Sequence, residues 1–441
     1  MTKDMTVGRP MPILVHFTIP LVLGNLFQLT YNAADSIIVG RYVGKEALAA
    51  VGICNPIITL MILFLNGLSI GAGILMGMQY GAGDHELLKR QISTTTWFGI
   101  MLSTVFSIVC IVFAKPLLRL LQVDAQILDL TCEYFRIIFA GLVFTFLYNC
   151  FSAILRALGD SKTPLFFLIV SAVLNIAGDL IFVIYFRAGS KGCAIATVIS
   201  EAFSCLLCIF YIQLKVPILR LGRKWFCFDK SLLKKTIAYG WTSAMQQATV
   251  QLGKLGIQAI VNTMGVSVAA AFTAVNRIDD FAYTPQQNIG HAMTAFMAQN
   301  LGAGKKKRMK EGFLCGMKLE LFYGLFIMCI CLFLARPIML LFGKDETVIA
   351  HGTAYLRLIA VMYLLPSLTN GIQGYFRGIG DLKVTLLSST VNMALRLLAA
   401  LPLVFVFKMQ MEALPLSYLA GWIAMLLTEL PLLIKNYRSQ K

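Results

Sequence analysis

Long apolar stretches constrain this chain more than any other feature of its sequence. Of its 441 residues, 58% are hydrophobic and 13% are charged, and the mean hydropathy is +0.77. A soluble domain carries about 25% charged residues, whereas a spanning helix needs about 20 mostly apolar residues. The sequence therefore predicts an all-α polytopic membrane protein. Twelve spanning helices are predicted at 13–39, 47–80, 92–114, 131–155, 164–186, 191–212, 233–262, 268–301, 313–334, 352–376, 383–407 and 413–434.

The chain also repeats itself without a gap at a constant spacing of 221 residues (302 minus 81). Gly81-Ala82-Gly83 returns as Gly302-Ala303-Gly304, and Arg156 returns as Arg377. Six predicted helices in each copy bring the chain back to the side from which it entered, so the two copies are parallel repeats.

This repeat predicts two six-helix lobes that face each other across a central cleft. The N-lobe is expected at 1–212 with helices 1–6, and the C-lobe at 233–441 with helices 7–12. A cytoplasmic linker at 213–232 joins them. Such a protein is expected to work by rocking one lobe against the other.

The net charge of +17 does not indicate a nucleic-acid partner. The Lys and Arg residues lie between the apolar segments and are concentrated at both termini and in the even-numbered loops. Both termini are therefore expected in the cytoplasm, by the positive-inside rule. We expect a monomer in the lipid bilayer of the plasma (inner) membrane. The eleven cysteines lie mostly in apolar stretches and are interpreted as small buried side chains.

Ionisable residues within a bilayer are costly and are candidates for function. Asp35 lies near the end of predicted helix 1, and Asp179 lies within helix 5. Asn175 precedes Asp179 by one helical turn and shares its face, and helix 6 offers Thr197. Two close carboxylates can hold one proton between them, and the same oxygens suit a hard cation such as Na⁺. These four residues are the candidate site for a coupling H⁺ or Na⁺.

The C-lobe is polar in a different way. Its candidate residues for a substrate cleft are Gln251, Lys254, Arg277 and Arg396, to which helix 1 adds Asn32. Lys254 and Arg396 have no evident partner in sequence, so they can meet an anionic group of a substrate or extend to an edge of the bilayer.

No P-loop, nucleophile elbow or zinc-protease signature is present. The chain is therefore expected not to be an enzyme and to need no cofactor other than the coupling ion. Without a nucleotide site, transport is expected to be driven by an ion gradient, with a small organic molecule as the partner.

The chain resembles the multidrug and toxic compound extrusion (MATE) family over nearly its whole length. The resemblance depends on Pro20 and Asp35, on the Gly-Ala-Gly turns, on the segment from Arg156 to Pro164, and on the polar residues of helices 5 and 6, which are Asn175, Asp179, Ala196 and Thr197.

This resemblance implies an antiporter that exports organic compounds in exchange for H⁺ or Na⁺. In the branch that the chain is similar to, the cluster matching Asp35, Asn175, Asp179 and Thr197 binds the coupling ion, and helix 1 bends near the proline matching Pro20. Other members carry acidic residues on helices 7 and 10, where this chain does not, so the resemblance does not extend to a C-lobe cation site there.

Two other functions stay open from the sequence. A lipid-linked saccharide flippase of the same superfamily is compatible with the basic residues of the C-lobe. An ion channel is less compatible, since the polar residues form local clusters and not a continuous lining.

Overall fold

A computed structural model describes residues 4–220, 222, 227–341 and 345–439. Within these ranges the chain forms sixteen α-helices. They are α1 Pro10–Ile38, α2 Lys45–Gly81, α3 His85–Val112, α4 Ala114–Leu120, α5 Ala125–Ala140, α6 Leu142–Ala157, α7 Lys162–Leu180, α8 Gly189–Lys215, α9 Lys230–Asn262, α10 Val266–Gly302, α11 Lys306–Phe333, α12 Ala335–Leu340, α13 Glu346–Met362, α14 Leu364–Gly378, α15 Leu382–Leu401 and α16 Ala413–Ser439.

The helices confirm the predicted all-α polytopic fold class. In the described ranges, eight helices are long and apolar enough to cross a bilayer, and the number is ten if α5 with α6 and α13 with α14 each count as one bent span. The more polar helices α9 and α10 are 33 and 37 residues long, which exceeds the length that a bilayer requires. These twelve spans overlap the twelve predicted stretches.

The two bent spans lie at equivalent positions of the repeat. The axis turns by 40° between α5 and α6, next to Gly141, and by 46° between α13 and α14, next to Tyr363. A Cβ on Gly141 would lie 2.5 Å from a methyl carbon of Val198, so glycine lets α8 approach the bend. By contrast, α10 runs through Pro285 as one helix.

The repeat in sequence is also a repeat in backbone conformation. Gly159 and Gly380 both have a φ of 83°, in the left-handed region that side chains disfavour, so each turn after α6 and α14 requires glycine. The helices α7 and α15 both end in a π-helical segment, at Ile181–Tyr185 and Pro402–Val406. The residues shared by the two copies therefore determine the same local structure twice.

The contacts divide the chain into two compact units. Unit 1 contains Met1–Asp4 and Ile19–Ala244, and unit 2 contains Met5–Thr18 and Met245–Lys441. The chain passes from one unit to the other inside α1 and again inside α9, and not at the predicted linker 213–232. This division describes contacts alone, so the predicted lobe boundaries stay a prediction. Residues 221 and 223–226 of that linker lie outside the described residues.

In unit 1 the first part of α9 packs closely on α2. A Cβ on Gly71 would lie 2.5 Å from the backbone nitrogen of Gly240, and a Cβ on Gly67 would lie 2.6 Å from the Cα of Ala244. The glycines of α2 therefore allow backbone-to-backbone approach, which is the usual role of small residues between membrane helices.

In unit 2 the segment before α1 is fixed to α10 and α11. Met5 is 1% exposed, and its N–H donates a hydrogen bond to Gln299 Oε1 at 2.9 Å. The Arg308 guanidinium donates to the carbonyl oxygens of Gly8 at 2.6 Å and Met5 at 3.0 Å. The basic residue Arg308 thus anchors the beginning of α1.

Candidate functional site

Three helices of unit 1 bring the predicted acidic residues together. Asp35 comes from the last turns of α1, and Asp179 from the end of α7. The start of α8 adds Cys193. One carboxylate oxygen from each aspartate and the Cys193 Sγ all lie within 4.8 Å of one another. The two carboxylates that the sequence predicts as a pair therefore lie close together in the structure.

This group is removed from solvent and contains no base. Asp179 is 0% exposed and Cys193 is 2% exposed, whereas Asp35 is half-buried. In the described part of the chain, no Lys, Arg or His forms an ion pair with either aspartate. Two negative charges this close repel each other, and a bound proton or monovalent cation relieves that repulsion.

Hydrogen bonding leaves the carboxylates available to a ligand. Asp35 Oδ1 and both oxygens of Asp179 are buried and accept no hydrogen bond from an amide or alcohol group of the described residues. The Cys193 thiol is oriented toward Asp179 as a weak donor. Buried carboxylate oxygens without such donors are unusual, which is the property expected of a site that binds an ion.

Asn175 and Thr197 form the second layer of the group. The Asn175 Nδ2 donates to the Thr197 Oγ1 at 3.2 Å, and the Thr197 hydroxyl donates to the Cys193 carbonyl oxygen at 3.0 Å. With its amide nitrogen held in this way, Asn175 has a buried Oδ1 that has no hydrogen-bond partner among the described residues.

These contacts are compatible with the predicted ligand set. For Na⁺, which prefers oxygen, the candidate atoms are the oxygens of Asp35, Asp179, Asn175 and Thr197. The Thr197 hydroxyl orients Asn175 and donates its proton to a backbone carbonyl, which leaves one lone pair on its oxygen. Cys193 was interpreted from sequence as a small buried side chain, but it lies one helical turn before Thr197, and this spacing is the signal that could have identified it. Whether the four predicted residues bind an ion stays a prediction.

A further acid lies on α8 of unit 1. The Thr145 hydroxyl donates a hydrogen bond to the Glu201 carboxylate, and the Asn149 Nδ2 donates to the Thr145 carbonyl oxygen at 2.8 Å. Glu201 is therefore held by a polar partner, unlike Asp179.

The predicted hinge lies where the contacts of α1 change. Pro20 is buried within α1, two positions after Thr18, the last residue of that helix in unit 2. Since proline removes a backbone hydrogen bond, it lowers the cost of bending the helix at this point.

Of the predicted cleft residues, two are brought together around an acid of unit 2. Lys254 and Arg396 both interact electrostatically with Asp279, to which the Tyr363 hydroxyl donates a hydrogen bond. Lys254 Nζ also lies 3.9 Å from Asp280 Oδ1.

Arg396 is buried on aromatic rings. It is 5% exposed, and its guanidinium carbon lies 3.8 Å from the ring centre of Tyr418 and 5.4 Å from that of Trp422. This stacking is a cation–π interaction. Arg396 therefore does not extend to the edge of the bilayer.

Two of the other predicted cleft residues, Gln251 and Arg277, are not joined to this group by a contact in the described part of the chain. Gln251 is half-buried on α9 and Arg277 is exposed on α10, and neither forms a hydrogen bond or ion pair within the described residues. The side chain of Asn32 lies outside the described part of the chain. Their assignment to a substrate cleft stays a prediction.

Comparison with known proteins identifies the family. The sequence model of the MatE family matches residues 20–181 and 243–401. The probable multidrug resistance protein YoeA of Bacillus subtilis (strain 168) is 32% identical over 76% of this chain and 74% of its own length. The FAD transporter of Shewanella oneidensis (strain MR-1) is 25% identical over 86% of this chain and 85% of its own length.

A solved structure shows the same fold. An outward-facing multidrug resistance MATE family transporter of the MOP superfamily superimposes with a TM-score of 0.91 at 22% identity, over 100% of this chain and 99% of that chain. The fold of twelve helices in two lobes, predicted from the sequence, is thus confirmed. The chain belongs to the MatE family and is a multi-pass membrane transporter of the multidrug and toxic compound extrusion type, not an enzyme.

Proposed function

We propose that this transporter is a secondary active antiporter, which exports organic compounds in exchange for H⁺ or Na⁺ by alternating access. The observation that carries the proposal is the pair Asp35 and Asp179, whose carboxylate oxygens lie within 4.8 Å of each other and of Cys193 without a basic partner among the described residues. The burial of two carboxylates without a base is explained if an ion binds between them and is later released.

Ion binding is coupled to helix α1 in this mechanism. Asp35 lies on the part of α1 that belongs to unit 1, whereas the first turns of α1 belong to unit 2. An ion that neutralises Asp35 lets α1 move closer to Asp179, and the bend is taken up at Pro20. Substrate release follows this movement, and return to the inward-open state releases the ion into the cytoplasm.

The energy of the ion is sufficient. One charge moving through 100 mV contributes about 2.3 kcal/mol, and each pH unit contributes about 1.4 kcal/mol per proton. Export of a substrate against a tenfold gradient costs about 1.4 kcal/mol. One ion per substrate therefore supports accumulation by at least one order of magnitude.

The charge of unit 2 favours substrates that are not purely cationic. Lys254 and Arg396 place positive charge around Asp279, and Arg396 stacks on aromatic rings. A planar organic molecule with an anionic group fits this chemistry better than a simple cation does. The similarity to an FAD transporter points in the same direction.

A lipid-linked saccharide flippase is the second candidate, supported by the same basic residues. Lys254 near Asp280 and Arg396 on Tyr418 suit an anionic group of either substrate, so these residues do not separate the two candidates. Antiport is the better-supported function because Asp35 and Asp179 form a buried pair that suits a coupling ion. Our proposal includes a monomer in the inner membrane, with both termini in the cytoplasm.

The test is efflux from proteoliposomes with each gradient imposed separately. A fluorescent organic dye, an anionic flavin and a lipid-linked saccharide are compared under a pH gradient without Na⁺ and under a Na⁺ gradient at equal pH. Antiport predicts efflux of the dye or the flavin with one gradient and none without a gradient. Movement of the lipid-linked saccharide alone supports the flippase, and substrate-independent single-channel currents support a channel.

A further inference from the structure

Two glutamates are fully buried in unit 2. Glu320 on α11 and Glu429 on α16 are each 0% exposed. All four of their carboxylate oxygens are buried, and none accepts a hydrogen bond of normal geometry from the described residues. Ionised carboxylates are very costly in such surroundings unless something compensates the charge.

One arginine of α14 interacts with both glutamates. Arg377 is 9% exposed and interacts electrostatically with Glu320 and with Glu429. Neither glutamate lies within ion-pair distance of it in the described ranges. Its Nε instead donates to the Gln373 carbonyl oxygen at 3.4 Å. The arginine therefore offers one positive charge to two carboxylates.

Within the described ranges, the surroundings add polar groups but no second cation. Ser388 and Gln373 lie next to Glu429, and the Gln373 Nε2 donates to the Ser388 Oγ at 3.3 Å. The titratable side chains that face Glu320 are Tyr283 of α10 and Tyr323 of α11. With both glutamates ionised, the group has one uncompensated negative charge, and one proton removes it.

The other copy of the repeat shows that the fold does not need these acids. Arg377 corresponds to Arg156, but Glu320 corresponds to Gly99 (320 minus 221) and Glu429 to Cys208 (429 minus 221). Cys208 lies beside Arg156, as Glu429 lies beside Arg377, so the geometry is the same in both copies.

The place of the Glu320 side chain is filled differently in unit 1. A Cβ on Gly99 would overlap the ring of Phe146, at 1.7 Å from its Cζ. The residue equivalent to Phe146 in unit 2 is Ser367 (146 plus 221), so an aromatic ring is replaced by a small side chain where Glu320 is present. The acids are therefore additions of the second copy to a scaffold that closes without them.

We propose that Glu320, Glu429 and Arg377 form a second proton-binding site, in unit 2 and separate from the pair Asp35 and Asp179. One of the two carboxylates holds a proton, and Arg377 balances the charge of the other. The guanidinium beside both acids repels a metal cation, so the proton is the ligand that fits. This site does not depend on the coupling ion proposed for unit 1.

The test is an infrared titration of the purified transporter in detergent, read from the carbonyl band of protonated carboxyl groups between about pH 5 and pH 9. All proteins carry Asp35→Asn and Asp179→Asn, so that the pair of unit 1 adds no carboxyl signal. On this background the variants are Glu320→Gln and Glu429→Gln, with Glu311→Gln as the control because Glu311 is exposed at the start of the same helix. We expect a step of one proton in the background protein and in the control. Each single glutamine variant loses the step, because the remaining carboxylate is then balanced by Arg377.

The background separates this proposal from the function proposed above, because it retains the step even where the loss of Asp35 and Asp179 abolishes transport. If a glutamine variant does not fold, Glu429→Cys replaces it, since Cys208 is tolerated beside Arg156 in unit 1. A step that survives in both Glu320 and Glu429 variants, or a background protein without any such step, overturns the proposal.

Discussion

The two copies of the repeat share one arginine at equivalent positions, but different side chains surround it. In unit 1, Arg156 lies beside Cys208 and forms no ion pair with the described residues, and the paired acids Asp35 and Asp179 lie elsewhere. In unit 2, Arg377 is flanked by two glutamates. The two copies thus have the same helices and turns but carry their ionisable groups at different positions.

A second pair of equivalent positions has exchanged chemistry and kept its contact. The positions of Asn175 and Thr197, joined by a hydrogen bond of 3.2 Å in unit 1, are occupied by Arg396 and Tyr418 in unit 2. The guanidinium of Arg396 lies 3.8 Å from the ring centre of Tyr418. The repeat therefore preserves which residues meet, and substitution changes the contact from a hydrogen bond to a cation–π stack.

The largest effect is expected from the acids of unit 1. Asp35→Asn or Asp179→Asn removes the charge that binds the coupling ion, so ion-driven efflux in proteoliposomes falls to the rate of empty vesicles, with expression and folding unchanged. Asp129→Asn is the matched control, because Asp129 is an exposed aspartate of the same unit, with its side chain 83% exposed. Full efflux by Asp35→Asn would falsify the assignment of the ion site.

The next effect compares the shared arginine in the two copies. Arg377→Met leaves Glu320 and Glu429 without a positive charge, and the loss of one partner from a buried charged group costs about 3–5 kcal/mol. Arg156→Met leaves no carboxylate unpaired and is expected to cost less. Thermal unfolding of both variants in detergent measures the difference. Equal losses of stability in the two variants contradict the different charge balance of the two units.

A smaller effect is expected for the aromatic stack. Arg396→Ala removes the cation–π contacts with Tyr418 and Trp422, which contribute about 0.5–2 kcal/mol. We expect a modest fall in thermal stability. Relative to the wild type, efflux of an anionic flavin should fall more than efflux of a neutral dye. Arg396→Lys keeps the charge but not the planar stacking, so it separates the two contributions. Unchanged flavin efflux in both variants removes Arg396 from the substrate site.

The smallest effect concerns the contacts that hold the starts of α1 and α9, which are the first helices of the two copies. Asp229 accepts hydrogen bonds from the N–H groups of Ser231 and Leu232 at the start of α9 and pairs with Arg90 at 2.6 Å. These backbone hydrogen bonds, with the nearby Arg90 charge, hold the pKa of Asp229 below its usual value. In unit 2 the anchor is Arg308, whose guanidinium donates to the backbone carbonyl oxygens of Met5 and Gly8.

This difference predicts that the start of α9 is destabilised by acid and that the start of α1 is not. Because the folded pKa of Asp229 is depressed, its contribution to stability is complete above the unfolded value of about 3.9 and is lost as the pH falls through the folded pKa. The protection factors of the Ser231 and Leu232 amides, which correct for the intrinsic exchange rate, are expected to fall as the pH falls through that window, whereas the start of α1, held by a guanidinium that stays charged, is unaffected. The Asp229→Asn variant should lose this pH dependence. Equal acid sensitivity at both helix starts contradicts the comparison.

Most of the fold could be read from the sequence because lipid imposes one requirement on every helix, a long apolar stretch. The bends of the spans were not predictable in this way. The bend next to Gly141 involves no proline, and Pro285 lies within one continuous helix, whereas the bend next to Tyr363 precedes Pro366, which removes the hydrogen bond to Met362. Bending depends on which neighbour packs at that point, and a single helix does not carry this information.

The site was predictable in part for a similar reason. Asp35 and Asp179 are visible because a charge within a bilayer is rare, and Glu320 and Glu429 carry the same signal, together with their mismatch to Gly99 and Cys208 in the repeat. Cys193 carries no such signal, because a cysteine in an apolar helix is ordinary. Its relevance comes from the meeting of α1, α7 and α8.

The passage of the chain between units inside its first helices has a consequence for how the molecule arose. Residues 5–18 of the first copy are counted with the second, and the start of α9, up to Ala244, is counted with the first. In each copy, the first turns of the leading helix thus belong to the unit that the other copy forms. Two identical subunits that exchange an arm in this way form a domain-swapped dimer, and joining their genes head to tail leaves this pattern in a single polypeptide.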